Sequence, residues 1–195
     1  MKDILNDKAT LRSQLMNSRS RAGSDRRVAA SRALRDALLA LPEIAAAGTV
    51  AAYVPVGSEP GGRDLAEDLT AGSTRRVLLP VLLADNDLDW ALYEGPASLV
   101  PAGRGLREPI GPRLGPEAVR TADVLVVPGL AVDRRGMRLG RGGGSYDRAL
   151  ARVPEAAVTV VLLYDDEVLD RVPAEPHDVP VDIAVTPAAV YRFTR

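Results

Sequence analysis

The stretch DVLVVPGLAVDRRGMRLGRGGGSYDR, residues 123–148, decides the reading of the fold. Val124, Leu125, Val126 and Val127 form a continuous apolar run suited to a strand buried on both faces. Pro128 and Gly129 end it. A polar loop follows with Asp133, Arg134, Arg135, Arg138 and Arg141, then Gly142, Gly143, Gly144, Ser145, Tyr146 and Asp147. Residues 148–152 suit a helix. A strand, a glycine-rich turn and a helix start predict an anion site, since backbone N–H groups there can face phosphate oxygens and glycines permit close approach. Nearby arginines add charge-assisted donors. A glycine-rich turn alone is most often only a turn. Neither common fingerprint is present: no GxGxxG directly follows the strand, and no Gly-Lys-Ser/Thr follows the glycines.

Outward from this stretch, apolar runs alternate with helical patterns. Helices are predicted over 3–22, with Ile4, Leu5, Ala9, Leu11, Leu15 and Met16 as a partly buried face, and over 25–41 with Ser24 as N-cap. Arg19, Arg21, Arg26 and Arg27 read as solvated surface. Strands are predicted over 50–54, 76–83, 88–93, 158–163 and 181–185, and short helices over 64–69 and 116–120. Residues 95–116 hold three Gly-Pro pairs and read as an ordered wandering loop. Trp90 reads as packing. Thr186 and Pro187 suit an N-cap and first helical position. Buried strands alternating with helices favour an α/β fold with a largely parallel central sheet, one domain over residues 1–195.

Composition narrows the function. A formal net charge of −1 opposes a generally basic nucleic-acid surface but not a local anion site. Without cysteine there is no disulfide, thiolate chemistry or Cys-based zinc site. The start, MKDILNDKAT, is too polar for a signal peptide, and no run reaches the roughly 18 apolar residues of a membrane helix. A cytoplasmic monomer is expected, with no membrane, nucleic-acid or obligate protein partner. Lys8 and Arg12, four apart, ordinarily make a solvated basic face. Like charges at that spacing mildly oppose a helix, which a bound polyphosphate would relieve. Glu59 follows a strand whose carboxyl end opens into PVGSEPGG, the kind of loop that builds ligand sites in α/β folds.

The central stretch resembles the signature of the 5-formyltetrahydrofolate cyclo-ligase family, also called methenyltetrahydrofolate synthetase, whose usual form is close to VPGLAFDxxGxRLGxGGGYYDR. Lys8 with Arg12, AAYVPVGSEP at 51–60, LLP at 78–80 and HDVPVDIAVTP at 177–187 also fit, in order. The resemblance implies a fold shared with ribose-phosphate isomerase and CoA-transferase domains. It implies ATP-dependent cyclisation of 5-formyltetrahydrofolate to 5,10-methenyltetrahydrofolate, through a phosphorylated formyl oxygen. It places Lys8, Arg12 and Arg138 on the ATP phosphates, with Leu139, Gly140, Arg141, Gly142, Gly143, Gly144, Ser145, Tyr146 and Asp147 as the nucleotide loop. Tyr53, Glu59 and Tyr146 would meet the folate, the carboxylate accepting from pterin N–H groups. Mg²⁺ would use Asp147 and Asp182. Lys8, Arg12, Arg138 and Tyr146 are the expected catalytic groups. Asp133 is expected to orient the arginine-rich turn, and His177 to make a structural hydrogen bond. Arg141 stands where the family usually has Tyr, and Ser145 where it has the first Tyr of a pair. Two alternatives use the same scaffold: a non-catalytic nucleotide- or RNA-binding protein, and a sugar-phosphate enzyme of the wider fold group.

Overall fold

The computed structural model describes residues 7–175 and 178–194. The calls on Ile4, Leu5 and His177 lie outside them. Helix α1, Lys8–Arg21, starts where the Asp7 carboxylate accepts the Ala9 N–H at 2.9 Å. Helix α2, Ser24–Leu39, has Gly23 as its N-cap, so Ser24 is its first residue and not its cap. Then come α3, Pro42–Ala46; β1, Thr49–Ala51; α4, Leu65–Thr70; β2, Arg76–Leu82; and β3, Leu88–Leu92. The Gly-Pro segment folds into a hairpin, β4 Leu99–Pro101 and β5 Arg107–Pro109, and a 3₁₀ turn, Pro116–Thr121. Strand β6 spans Val124–Pro128, β7 Ala131–Asp133 and β8 Arg138–Leu139. Helix α5, Ser145–Arg152, precedes β9 Val158–Leu162, β10 Val168–Leu169, β11 Ile183–Val185 and β12 Val190–Arg192.

Seven strands make the central sheet, in the order β12-β11-β9-β6-β1-β2-β3. The inner five are mutually parallel, and the two outer strands run antiparallel. Alternation along β6 sorts the core. Val124 and Val126 join Leu34, Leu38, Ile44, Leu65 and Leu69 from α2, α3 and α4, while Leu125 and Val127 join Trp90, Val119, Ala149 and Leu150 on the other face. Trp90 is fully buried.

Three expectations change. The polar loop after β6 is a hairpin: β7 and β8 pair antiparallel, and β10 joins β7 in parallel. Asp133 and Arg138 are buried in it, while Arg134 and Arg135 stay exposed. The buried Asp133 carboxylate accepts from the N–H groups of Arg135, Met137 and Val172 and from the Arg135 guanidinium. It thereby orients the turn. Burial opposes its ionisation, but Arg135 and those N–H groups hold its pKa below the ordinary carboxylate value. The helix expected after Thr186 is absent among the described residues. The Thr186 hydroxyl accepts from Ala189 N–H in a turn, and β12 folds back on β11. Arg19 is not solvated. It is 3% exposed, with Nε 2.6 Å and Nη2 2.7 Å from the Glu167 carboxylate and Nη2 2.6 Å from the Gly129 carbonyl oxygen. This bidentate pair and a small apolar cluster, Leu11 with Leu130, Leu139 and Val172, dock α1 on the hairpin.

The sheet edges are finished differently. Strand β3 is overlaid by the next segment, with Leu114 N–H bonded to the Trp90 carbonyl and Gly115 N–H to Asp89 Oδ1. Strand β12 is three residues long, and its Arg192 pairs with Glu43 of α3.

Candidate active site

The carboxyl ends of β1 and β2, the loop after β8 and the start of α5 meet around one cavity of about 320 Å³. Tyr53, Glu59, Arg138, Tyr146, Asp147 and the intervening glycine loop line it, so most of the expected site residues converge. Pro80, Leu82 and Leu88 add an apolar wall. Arg104, Leu106, Arg107 and Glu108, from the Gly-Pro segment, form another side. Glu108 Oε1 accepts from Leu82 N–H at 3.0 Å.

The loop after β1 is stiffened by its own polar groups. Glu59 N–H donates to the Val56 carbonyl, and Glu59 Oε2 accepts from Val56 N–H at 2.9 Å. The buried Tyr53 hydroxyl donates to the Pro60 carbonyl, and the Tyr164 hydroxyl to Ser58 at 3.1 Å. Tyr53 therefore shapes the loop with its hydroxyl and lines the cavity with its ring. The Glu59 side chain is 10% exposed, and its Oε1 lies 3.1 Å from Nε of Arg141 in the glycine loop.

Arg138 forms the floor. Its side chain is 3% exposed, Nη1 donates to the Pro128 carbonyl at 2.8 Å, and Nη2 pairs with Asp147 Oδ1. Its Nε is buried with no hydrogen-bond partner. Burial pulls its pKa below the ordinary arginine value, with Asp147 opposing. Gly140 is required here because a Cβ would come within 2.8 Å of Arg138 Nη1. Burial, and then the Glu59 charge, push the Tyr146 hydroxyl far above its ordinary pKa, so it stays a donor. Gly144 caps α5 without a side-chain bond, leaving the helix start to face an anion.

Arg12 holds the loop from behind, with Nε 2.9 Å from the Gly140 carbonyl oxygen. Gly142, at φ +97°, lets the guanidinium pass: a Cβ there would lie 3.3 Å from Arg12 Cζ. Lys8 is not beside Arg12 on the glycine loop. Its Nζ is bonded to Glu175 at 3.0 Å and Asp178 at 2.7 Å, and α1 only brings it near. Leu139 turns its side chain into the cluster under α1, away from the cavity. Asp182 is not brought to the site. It precedes β11, at the amino end of the parallel strands, where Oδ2 accepts from the Thr159 N–H and hydroxyl at 2.8 and 2.7 Å. Among the described residues no three His, Cys, Asp or Glu side chains cluster to hold a metal ion.

The family model of the 5-formyltetrahydrofolate cyclo-ligase family matches residues 4–187. The chain belongs to this family. A 5-formyltetrahydrofolate cyclo-ligase of Mycolicibacterium smegmatis is 46% identical over 187 residues, 92% of this chain and 93% of the relative. The cyclo-ligase of Escherichia coli is 30% identical over 159 residues, covering 80% of this chain and 87% of that one. The solution structure of Aquifex aeolicus 5,10-methenyltetrahydrofolate synthetase superposes with a TM-score of 0.83 at 31% identity, covering 96% and 93% of the two chains. Membership makes the chain an enzyme, a ligase of folate one-carbon metabolism with cyclo-ligase activity. Among the described residues no helix is long and apolar enough to cross a membrane.

Proposed function

We propose that the enzyme closes 5-formyltetrahydrofolate to 5,10-methenyltetrahydrofolate at the expense of ATP. The observation that carries this is the convergence of Glu59, the glycine loop and Arg138 on one cavity. The formyl oxygen is a poor leaving group. It attacks the γ-phosphorus, ADP departs, and the formyl carbon becomes an N5-iminium phosphate. N10 then attacks that carbon and gives up its proton, and inorganic phosphate leaves with the oxygen. No protein nucleophile is needed. The protein must align the partners and stabilise the transferring charge.

Glu59 accepts from the pterin N–H groups and fixes the ring. Tyr53 shapes that subsite, and the Tyr146 hydroxyl donates into it. The glycine loop and the start of α5 receive the phosphates. The unpartnered Nε of Arg138 supports an anion there, since a buried donor without an acceptor is costly unless a ligand supplies one. Arg12 positions the loop and adds charge. Lys8 is a further cation for which the phosphates compete with Glu175 and Asp178. The residues fit Mg²⁺ only as an ion that arrives with the phosphates, with the Asp147 carboxylate as one protein ligand. When bound, it neutralises phosphate charge.

The test is conversion of 5-formyltetrahydrofolate with and without ATP and Mg²⁺. Methenyl product and ADP should form in equal amounts, and only with ATP. Methenyl product without ADP would remove the phosphorylated intermediate. Alanine at Arg12 should weaken ATP use more than folate binding, and alanine at Lys8 should do so to a smaller extent. Normal ATP dependence in both variants would remove α1 from the nucleotide site.

A further inference from the structure

We infer that Arg141 couples the two ligands, releasing Glu59 for the folate when nucleotide phosphates draw its guanidinium away. The inference rests on the preceding assignment of Glu59 to folate and of the glycine loop to phosphate. Both oxygens of Glu59 are engaged in this structure, but by unequal partners. Oε2 is held by the Val56 N–H, a fixed backbone donor within the same turn. Oε1 faces Arg141, whose side chain is 50% exposed. The turn itself is pinned by Tyr53 on Pro60 and Tyr164 on Ser58, so Glu59 cannot swing aside. The group that must move is Arg141.

A carboxylate that is 10% exposed does not give up a cationic partner without a replacement. A folate arriving alone must exchange the guanidinium for neutral N–H donors, and Arg141 gains nothing in return. With a polyphosphate on the same loop the exchange is balanced. Arg141 moves to phosphate oxygens, and the pterin N–H groups take the vacated Oε1. The loop is built for a local change of this kind. Arg12 grips the Gly140 carbonyl from behind, while Gly142 sits at φ +97°, so the side chain between them can turn while the loop stays anchored. Binding free energies are reciprocal, so each ligand tightens the other by the same factor. Arg141 is thus a positioning residue, acting on the substrate through Glu59.

The test is the dissociation constant of 5-formyltetrahydrofolate, measured by calorimetry with and without a non-hydrolysable ATP analogue and Mg²⁺. In the wild type the analogue should tighten folate binding by about fivefold or more, the lower end of ordinary coupling. Arg141→Gln should bind folate more tightly than the wild type when nucleotide is absent, and its ratio with and without the analogue should fall toward one. A merely damaged loop cannot produce that gain. Arg141→Lys should restore part of the coupling. The proposal is overturned if Arg141→Gln gains no affinity in the free state or keeps the wild-type ratio. A wild type that binds neither ligand overturns the underlying assignment and the coupling together. Binding of both with an unchanged ratio in Arg141→Gln overturns the coupling alone.

Discussion

Carboxylates serve opposite purposes at the two ends of the parallel sheet. At the amino end, Asp123 accepts the N–H groups of Gly48 and Thr49, and Asp182 takes Thr159. Their partners are neighbouring strands, fixed for the life of the fold. At the carboxyl end, Glu59 and Asp147 face arginines from the glycine loop and its approach. The half-exposed Arg141 side chain can be exchanged for a ligand, whereas a strand amide cannot. On the proposed function, Glu59 differs from the structural carboxylates in having a partner that can leave.

The sharpest way to break this contrast is at Arg138. Arg138→Met removes the cation proposed to lie under the phosphates, and turnover should fall about 100-fold or more. Stability should fall too, because the Pro128 carbonyl and Asp147 lose their donor. Methenyl absorbance and circular dichroism together check this, and near-normal turnover would take Arg138 out of the site. Glu59→Gln keeps an acceptor for Val56 N–H but loses the charge. Folate affinity should drop about tenfold, in line with a charged hydrogen bond, while the fold survives. An unchanged affinity would place Glu59 with the structural carboxylates. At the other end, Asp182→Ala should lower Tm by about 5 °C and leave turnover per folded molecule intact. Lost turnover at full stability would return Asp182 to the metal site.

The smallest expected effect lies at Lys8. Burial disfavours its ammonium, but Asp178 and Glu175 more than compensate and hold its pKa above the ordinary lysine value. A raised pKa means the folded state holds this proton more tightly. The contribution is therefore present below about pH 10.4 and disappears as pH rises through the folded value. Thermal melts of wild type and Lys8→Ala should differ slightly at neutral pH and converge as the pH rises past the raised lysine value. A gap that widens with pH would contradict the pairing.

The apolar run 124–127, the glycine loop and the start of α5 were legible because their signals are local. So were the positions of β2, β3 and β9, within a residue, whereas β1 stops at Ala51, three residues before the expected end. The hairpin after β6 was not. Asp133 and Arg138 look like loop residues until Val172 and Asp147 arrive from elsewhere in the chain to bury them. Arg19 was taken for surface because its partner, Glu167, lies 148 positions away. Strand β12 was hidden by Thr186-Pro187, a fair helix start whose turn is decided by pairing with β11. In the site, the sequence supplied Glu59 and Arg141 as separate candidates, and only folding makes them a pair.

The finished edges of the sheet bear on self-association. A long bare strand edge is a template on which another chain can add its own strand, the first step of fibrous aggregation. On the outer side of β3 the Trp90 carbonyl is already bonded to Leu114 N–H and the Asp89 carboxylate to Gly115 N–H, so docking there must first peel that segment away. Strand β12 offers three residues and an arginine anchored to Glu43, too short and too charged for a stable added strand. A concentrated solution of this protein should therefore resist strand-mediated polymerisation until one of those two covers is lifted.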